Sequence, residues 1–337
     1  MIRKTLYLCL GVVVATVLSL NACTTKVEAS ANDAQLRKQQ HELELKRLRE
    51  QQKSVWETEL ADASRFTLDL KLNDREKRVA RKFARTVTHN LKTNDIYVHY
   101  LLTKLKENNI PLELAAIPLL ESGLNPRVHH AGAHGAWQYM RGTSSSLGLK
   151  KTKNYDGVYD FFASTDAGIK YLNHLYKDLG SWKLVVVAYN QGEYGIKRAV
   201  NAAKKRGDPA TTVHTIRIAK STRNYLVRFK AYSDVLKHPQ EYGVKLPVIK
   251  NRPAFRRVEI ADKVTSLNEV ARLSGATVEV LKKLNSGYTT DKIDPYHGIK
   301  IPIDHVETLE KAISSNGDNK TRAKRVDRTP LKLTFTN

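Results

Sequence analysis

Cysteine is nearly missing from this chain: 337 residues contain two, Cys9 and Cys23, too few for a disulfide framework or a thiolate zinc site. Acidic side chains are scarce beside basic ones, 34 against 57, which leaves a formal charge of +23. An excess of that sign favours an anionic partner, whether nucleic acid, a membrane surface or an acidic polymer, and says nothing about fold. The uncharged apolar run Leu6 to Leu20 falls short of the ~20 residues that a membrane span needs. Glycine-rich phosphate loops are absent, so no nucleotide is expected. No alternation of strand and helix patterns is present either, which argues against a parallel sheet. What remains is a globular composition, 41% hydrophobic and 27% charged, in a chain long enough for one large domain or two modest ones.

The first 22 residues read as an export signal, with Arg3 and Lys4 before the apolar run and small Ala22 before Cys23. The residues alone leave an uncleaved anchor helix open. Leu20-Asn21-Ala22-Cys23 resembles a bacterial lipobox. That resemblance implies that Cys23 is lipidated and becomes the first residue of the mature chain. Thr24, where an Asp would retain such a protein, implies a lipid anchor in the outer membrane on its periplasmic face.

Residues 23–75 begin with a stretch rich in Gln, Glu, Lys, Arg and Leu, without Gly or Pro over 33–60, which predicts a helix. Leu36, Leu43, Leu45, Leu48 and Val55 sustain no heptad, so a solvated helical tether is expected rather than a coiled coil. From 76 to 250 the pattern is helical almost throughout. Val79-Ala80-Phe83-Ala84-Val87 and Ile96-Tyr97-Tyr100-Leu101-Leu105 recur at helical spacing. Pro111 opens a further helix, and stretches at 164–179, 183–204 and 218–237 repeat the signal. Residues 251–312 read as a separate strand–helix–helix–strand module, with Ser266 and Glu269 as a capping box. From 313 to 337 the chain is polar and basic, a flexible tail.

The chemistry concentrates in Pro111 to Met140. Glu121 follows an apolar helix, with Ile117 and Pro118 one turn before it, and desolvation beside such neighbours raises a carboxyl pKa. A carboxylic acid that keeps its proton near neutral pH is what protonation of a glycosidic oxygen requires. Asp156, Asp160 and Asp166 are the candidate partners for two-carboxylate hydrolysis, although Asp156 in Asn154-Tyr155-Asp156-Gly157 also reads as turn chemistry.

Four ordered elements sharpen this reading: Glu121-Ser122-Gly123-Leu124-Asn125-Pro126, Gly132-Ala133-His134-Gly135-Ala136-Trp137-Gln138-Tyr139-Met140, Ala188-Tyr189-Asn190-Gln191-Gly192-Glu193 and Thr222-Arg223-Asn224-Tyr225. Together they resemble the catalytic domain of the soluble-lytic-transglycosylase type, and the whole chain resembles the membrane-bound members of that family. The resemblance implies a mainly α protein: a lysozyme-like helical catalytic domain, then a small α+β lysin-motif-like module. It implies cleavage of peptidoglycan glycan strands at the bond between N-acetylmuramic acid and N-acetylglucosamine, leaving a 1,6-anhydro end and using no cofactor. Glu121 would be the single catalytic residue. Ser122 matches the family's active-site serine, Gln138 would hydrogen-bond substrate, and Trp137 or Met140 would line the groove. Tyr189 and Asn190 would approach the glutamate and its substrate, and Tyr225 matches a late tyrosine of the fold. Ser221 stands where relatives usually carry Glu. Residues 258–303 resemble a glycan-binding lysin motif, with Lys263-Val264-Thr265-Ser266-Leu267 in place of its usual start.

His129, His130 and His134 invite a metal reading, but Gly132 and Gly135 break the helix that would align them and no Glu follows His130; no metal is expected. Gly132-Ala133-His134-Gly135 also matches the loop of an RNA-binding fold, yet an exported lipoprotein meets little RNA and no nucleic-acid partner is expected. A non-catalytic wall-binding lipoprotein and a hydrolytic muramidase are the rival readings. The charge is local: residues 76–250 hold 29 Lys and Arg against 13 Asp and Glu, whereas 251–312 hold 10 against 9.

Overall fold

The computed structural model describes residue 33 and residues 35–208, 212–260, 264–294 and 297–315. The export signal, Cys23 and the tail beyond 315 lie outside the described residues. The chain divides into two compact units between Lys53 and Ser54. In the first, residues 35–52 are helical, and Leu36, Leu43, Leu45 and Leu48 are exposed, as leucines without a heptad partner should be.

In the second unit a short helix α1 (Val55–Glu59) is followed by α2 (Asp74–Thr93) and α3 (Asp95–Glu107). The reciprocal Asn73/Glu76 capping box starts α2, satisfying two donors that a helix start otherwise leaves open. Ala80, Ala84, Val87 and Leu91 form its buried stripe, and that stripe packs along α9 (Lys220–Lys237). Residues 54–72, read in the sequence as part of the tether, join this packing. Val55, Trp56 and Leu68 are core residues, and the Trp56 indole N–H donates to the Pro247 carbonyl at 2.9 Å.

Pro111 is the residue before a 3-10 turn, Leu112–Ala115, that leads directly into α4 (Ala116–Ser122). Ala116 to Leu120 are all buried, so α4 is a central rod rather than a surface helix. The segment after it forms a sheet of two-residue strands in the order β1 (His129–His130), β2 (Ala133–His134), β3 (Tyr139–Met140), all antiparallel. Such short strands leave no alternation in the sequence, which is why the helical reading of 76–250 passed over them. There follow α5 (Arg141–Ser146), α6 (Phe161–Leu179), α7 (Trp182–Gln191) and α8 (Glu193–Lys205). The helix expected over 183–204 is two, because Gly192 at φ 92° leaves the helical region between α7 and α8.

Residues 255–315 build the small module. β4 (Phe255–Val258) pairs antiparallel with β5 (Ile299–Pro302), from Phe255↔Pro302 to Val258↔Ile299. Between them lie α10 (Leu267–Ser274) and α11 (Val278–Leu284), and α12 (Val306–Ser315) then packs on α10. Ser266 caps α10 by accepting from the Glu269 N–H. The Glu269 carboxylate accepts from Thr265, one residue before the cap, so the expected box closes on the neighbouring amide. The module has its own core around Val270, Leu281, Ile299, Ile301 and Leu309.

Module and larger domain are locked together. Tyr155 belongs to the module's core and Leu284 to the larger one. The Lys300 ammonium reaches the buried Asp160 carboxylate at 2.6 Å, and Asp160 also caps α6. The backbone N–H of Asp156 donates to Gly287 and that of Thr289 to Asn154. Burial alone would raise the Asp160 pKa; the Lys300 ammonium, two α6 amides and the Tyr155 hydroxyl more than offset it and hold the carboxyl below its ordinary value.

Candidate active site

Glu121 lies on the last turn of α4, where local chemistry fixes the helix end. Gly123 sits in the left-handed region at φ 66°; its N–H returns to Leu119 and the Leu124 N–H to Pro118, the double closure that terminates a helix on glycine. The position admits nothing larger, since a Cβ there would fall 2.5 Å from the Asn90 amide nitrogen. Asn94 holds the Gly123 carbonyl at 2.9 Å. The chain therefore turns directly after Glu121.

The Glu121 carboxyl is half-buried. Desolvation pushes its pKa up, while Tyr225 and the Arg228 guanidinium pull it back in part. The net direction is the one the sequence predicted. The Tyr225 hydroxyl is buried without a hydrogen-bond partner at normal distance, yet it faces Glu121 closely enough for each to perturb the other.

Around this carboxyl the structure brings together most of the residues singled out in the sequence. The Ser122 hydroxyl donates to the Ala136 carbonyl at 2.7 Å, tying α4 to the sheet segment. Tyr189, on the last turn of α7, is close enough to feel the Glu121 charge. Its hydroxyl donates to the Trp137 carbonyl at 2.5 Å. Gln138, at φ 51°, donates its amide N–H groups to Val128 and Gly135, so that half of the amide staples the loop. Trp137 is 0% exposed and its indole N–H donates to Thr165. It therefore lines no groove; Met140, 54% exposed, is the member of that pair with a free face. Asn190 is exposed one residue beyond Tyr189, and Ser221 is exposed on the first turn of α9.

The candidate second carboxylates are engaged elsewhere. Asp156 pairs with Arg141 at 2.7 Å, Asp160 with Lys300, and Asp166 accepts from the Tyr100 hydroxyl at 2.7 Å. His134 bonds the Tyr159 hydroxyl through Nδ1 and stacks on His129. Among the described residues, His174, Asp178 and Glu193 bring ligand atoms within 4.8 Å of one another. Lys197 already bridges both carboxylates, reaching Glu193 at 2.6 Å, so a cation would have to displace an ammonium group. Arg228 escaped the sequence reading; its one signal is its place three residues after Tyr225, on the same helix face.

Residues 101–211 match the transglycosylase SLT domain family, and residues 254–315 match the LysM-like domain of lytic transglycosylase MltD. Over 241 residues the chain is 33% identical to membrane-bound lytic murein transglycosylase D of Escherichia coli strain K12, covering 70% of this chain and 53% of that protein. The protein of the same description from Escherichia coli O6:H1 gives the same figures. A putative tributyltin chloride resistance protein of Alteromonas sp. strain M-1 is 28% identical over 161 residues, 47% of this chain and 75% of that protein. The chain spans about half the length of the transglycosylase relatives, 53%. The helical part around Glu121 is thus a lysozyme-like SLT domain, the small module is a LysM-like domain, and over 70% of its length the chain is similar to membrane-bound lytic murein transglycosylase D.

Proposed function

We propose that this protein is a peptidoglycan lytic transglycosylase, with Glu121 as its single acid and base. The observation that carries the reading is the Glu121 carboxyl itself, at the end of a buried helix, where desolvation pushes its pKa up. Such a group donates its proton to the O4 oxygen of N-acetylglucosamine as the bond from C1 of N-acetylmuramic acid breaks. The resulting carboxylate then takes the proton of the muramoyl C6 hydroxyl, whose oxygen bonds to C1 and closes the 1,6-anhydro ring. Atoms balance without water. An intramolecular nucleophile already near C1 removes the entropic cost of recruiting one. That Asp156, Asp160 and Asp166 are held in other contacts supports one carboxylate over two.

In this reading Ser122 and Gln138 set the shape of the loop beside the acid, while Met140 and Asn190 offer exposed surface to the glycan. Tyr189 and Tyr225 flank the carboxyl, and buried Trp137 supports the floor. The catalytic part extends over 76–250 and the module over 251–312, which adds a glycan-binding surface. Cys23 carries the lipid and anchors the chain to the outer membrane, facing the periplasm. The membrane-bound description of the relatives supports an anchor, and among the described residues no helix is long and apolar enough to cross a membrane.

Digestion of purified sacculi by the full chain, followed by mass spectrometry of the muropeptides, tests the activity. Anhydro-muropeptides that disappear with Glu121→Gln are expected. Reducing ends would mean hydrolysis, and an absence of products would leave a wall-binding protein. Cys23→Ala is expected to release the chain from the membrane fraction; unchanged membrane association would remove the lipid anchor.

A further inference from the structure

Arg228 is near enough to the candidate acid for its charge to pull the Glu121 pKa down, and among the described residues it holds no ion pair. It lies on α9 one turn beyond Tyr225, is exposed, and places its guanidinium over the Phe83 ring of α2, 5.4 Å from the centroid. Phe83 is itself backed by Tyr232 at 5.6 Å, so the planar cation rests on a fixed aromatic shelf. Two residues later Lys230 pairs with Glu76 at 2.6 Å, whereas among the described residues no carboxylate lies at ion-pair distance from Arg228. No acid neutralises it along the helix either: Lys220 to Lys230 carries Lys220, Arg223, Arg228 and Lys230 with no Asp or Glu, and Ser221 stands in this stretch.

A cation at this place opposes the chemistry. Positive charge near Glu121 favours its ionised form, and an acid that must hold its proton gains nothing from that. An exposed guanidinium that holds no ion pair, resting on Phe83 and within hydrogen-bonding reach of the Tyr232 hydroxyl, fits an anionic group arriving with the substrate. Arginine is suited to that task by its planar fork.

We propose that Arg228 is a specificity-determining residue that binds a carboxylate of the glycan substrate; this rests on the lytic reading above. Two sources carry that chemistry. Muramic acid bears a lactyl ether on the sugar whose C1 bond breaks, and its carboxylate is free wherever the peptide has been removed. Where the peptide is present, the stem brings carboxylates of its own. Either one, paired with Arg228, cancels the charge that pulls the Glu121 proton away, so substrate binding itself readies the acid.

The test compares full-length wild type, Arg228→Gln and Arg228→Lys on four substrates: peptide-stripped glycan strands, the same strands with lactyl carboxylates converted to methylamides, peptide-bearing strands, and peptide-bearing strands with stem carboxylates amidated. Arg228→Gln should raise KM at least about tenfold, the scale of one charge-assisted pair, on a carboxylate-bearing substrate and leave the KM of its neutralised counterpart unchanged. Arg228→Lys should recover part of the loss. A loss confined to the stripped strands identifies the lactyl carboxylate, and one confined to peptide-bearing strands identifies the stem. Equal slowing on all four substrates overturns the proposal, since Arg228 would then act through Glu121 or the fold. Binding of the same strands to Glu121→Gln protein, with and without Arg228→Gln, reads the contact without turnover. That arm separates failure of this inference from failure of the lytic reading.

Discussion

The raised pKa of Glu121 has consequences for stability as well as for chemistry. Desolvation raises it in the folded state, so the native state keeps the carboxyl proton to higher pH than the unfolded chain does. Folding stability therefore falls as pH rises from the ordinary glutamate value towards the folded one. Glu121→Gln removes the titrating group. It should abolish turnover while raising the melting temperature near neutral pH, and the gain should vanish at pH 4; a variant less stable at both pH values would contradict the desolvation account. Tyr225 acts in the opposite sense, stabilising the charged carboxyl. Tyr225→Phe should move the alkaline limb of the pH–rate profile upward, whereas a downward shift would mean that the hydroxyl favours the protonated acid.

The helix ends and tight turns explain why so much of the site could be read in the sequence. Gly123 and Pro126 directly after Glu121 are residues that suit a helix terminus, and glycine is required at 123 because the chain takes φ 66° against Asn90. The three two-residue strands could not be read, because two residues carry no periodicity. Nor could the direction of Trp137 and Tyr189. The sequence left the groove position open between Trp137 and Met140; the Trp137 indole N–H found Thr165 inside the domain. Gly135 shows how tightly this element is seated. It has φ +80°, and a Cβ there would fall 2.1 Å from the Val158 carbonyl oxygen. Gly135→Ala should cost at least ~1–3 kcal/mol in urea unfolding and lower turnover by displacing the loop that Gln138 staples. An unchanged midpoint would show that the loop can yield.

At the scale of the whole molecule, the sequence showed two regions of different composition and charge but not that they are joined through a buried ion pair. Lys300 and Asp160 lie 140 residues apart, and nothing local in either segment marks the other as its partner. Lys300→Ala leaves the Asp160 carboxylate buried without its cation, which should cost ~3–5 kcal/mol at neutral pH. The folded pKa of Asp160 is depressed. Its contribution is therefore present above the ordinary aspartate value and is lost as pH falls through the folded one. The difference between variant and wild type should accordingly shrink below about pH 4; a constant difference across pH would place the effect in packing. The basic excess belongs to the larger domain, 29 cations against 13 anions over 76–250. Binding of the full chain to sacculi should weaken as salt rises, and amidating the sacculus carboxylates should remove most of that dependence.

The central claim is that one carboxyl, Glu121, breaks the glycosidic bond with no water consumed. Digestion of sacculi in water enriched in oxygen-18 tests it most directly, because any hydrolytic event leaves heavy oxygen at the anomeric carbon. The account predicts anhydro-muropeptides without label from the wild type and no cleavage from Glu121→Gln. Labelled reducing ends, or cleavage that survives Glu121→Gln, would contradict it.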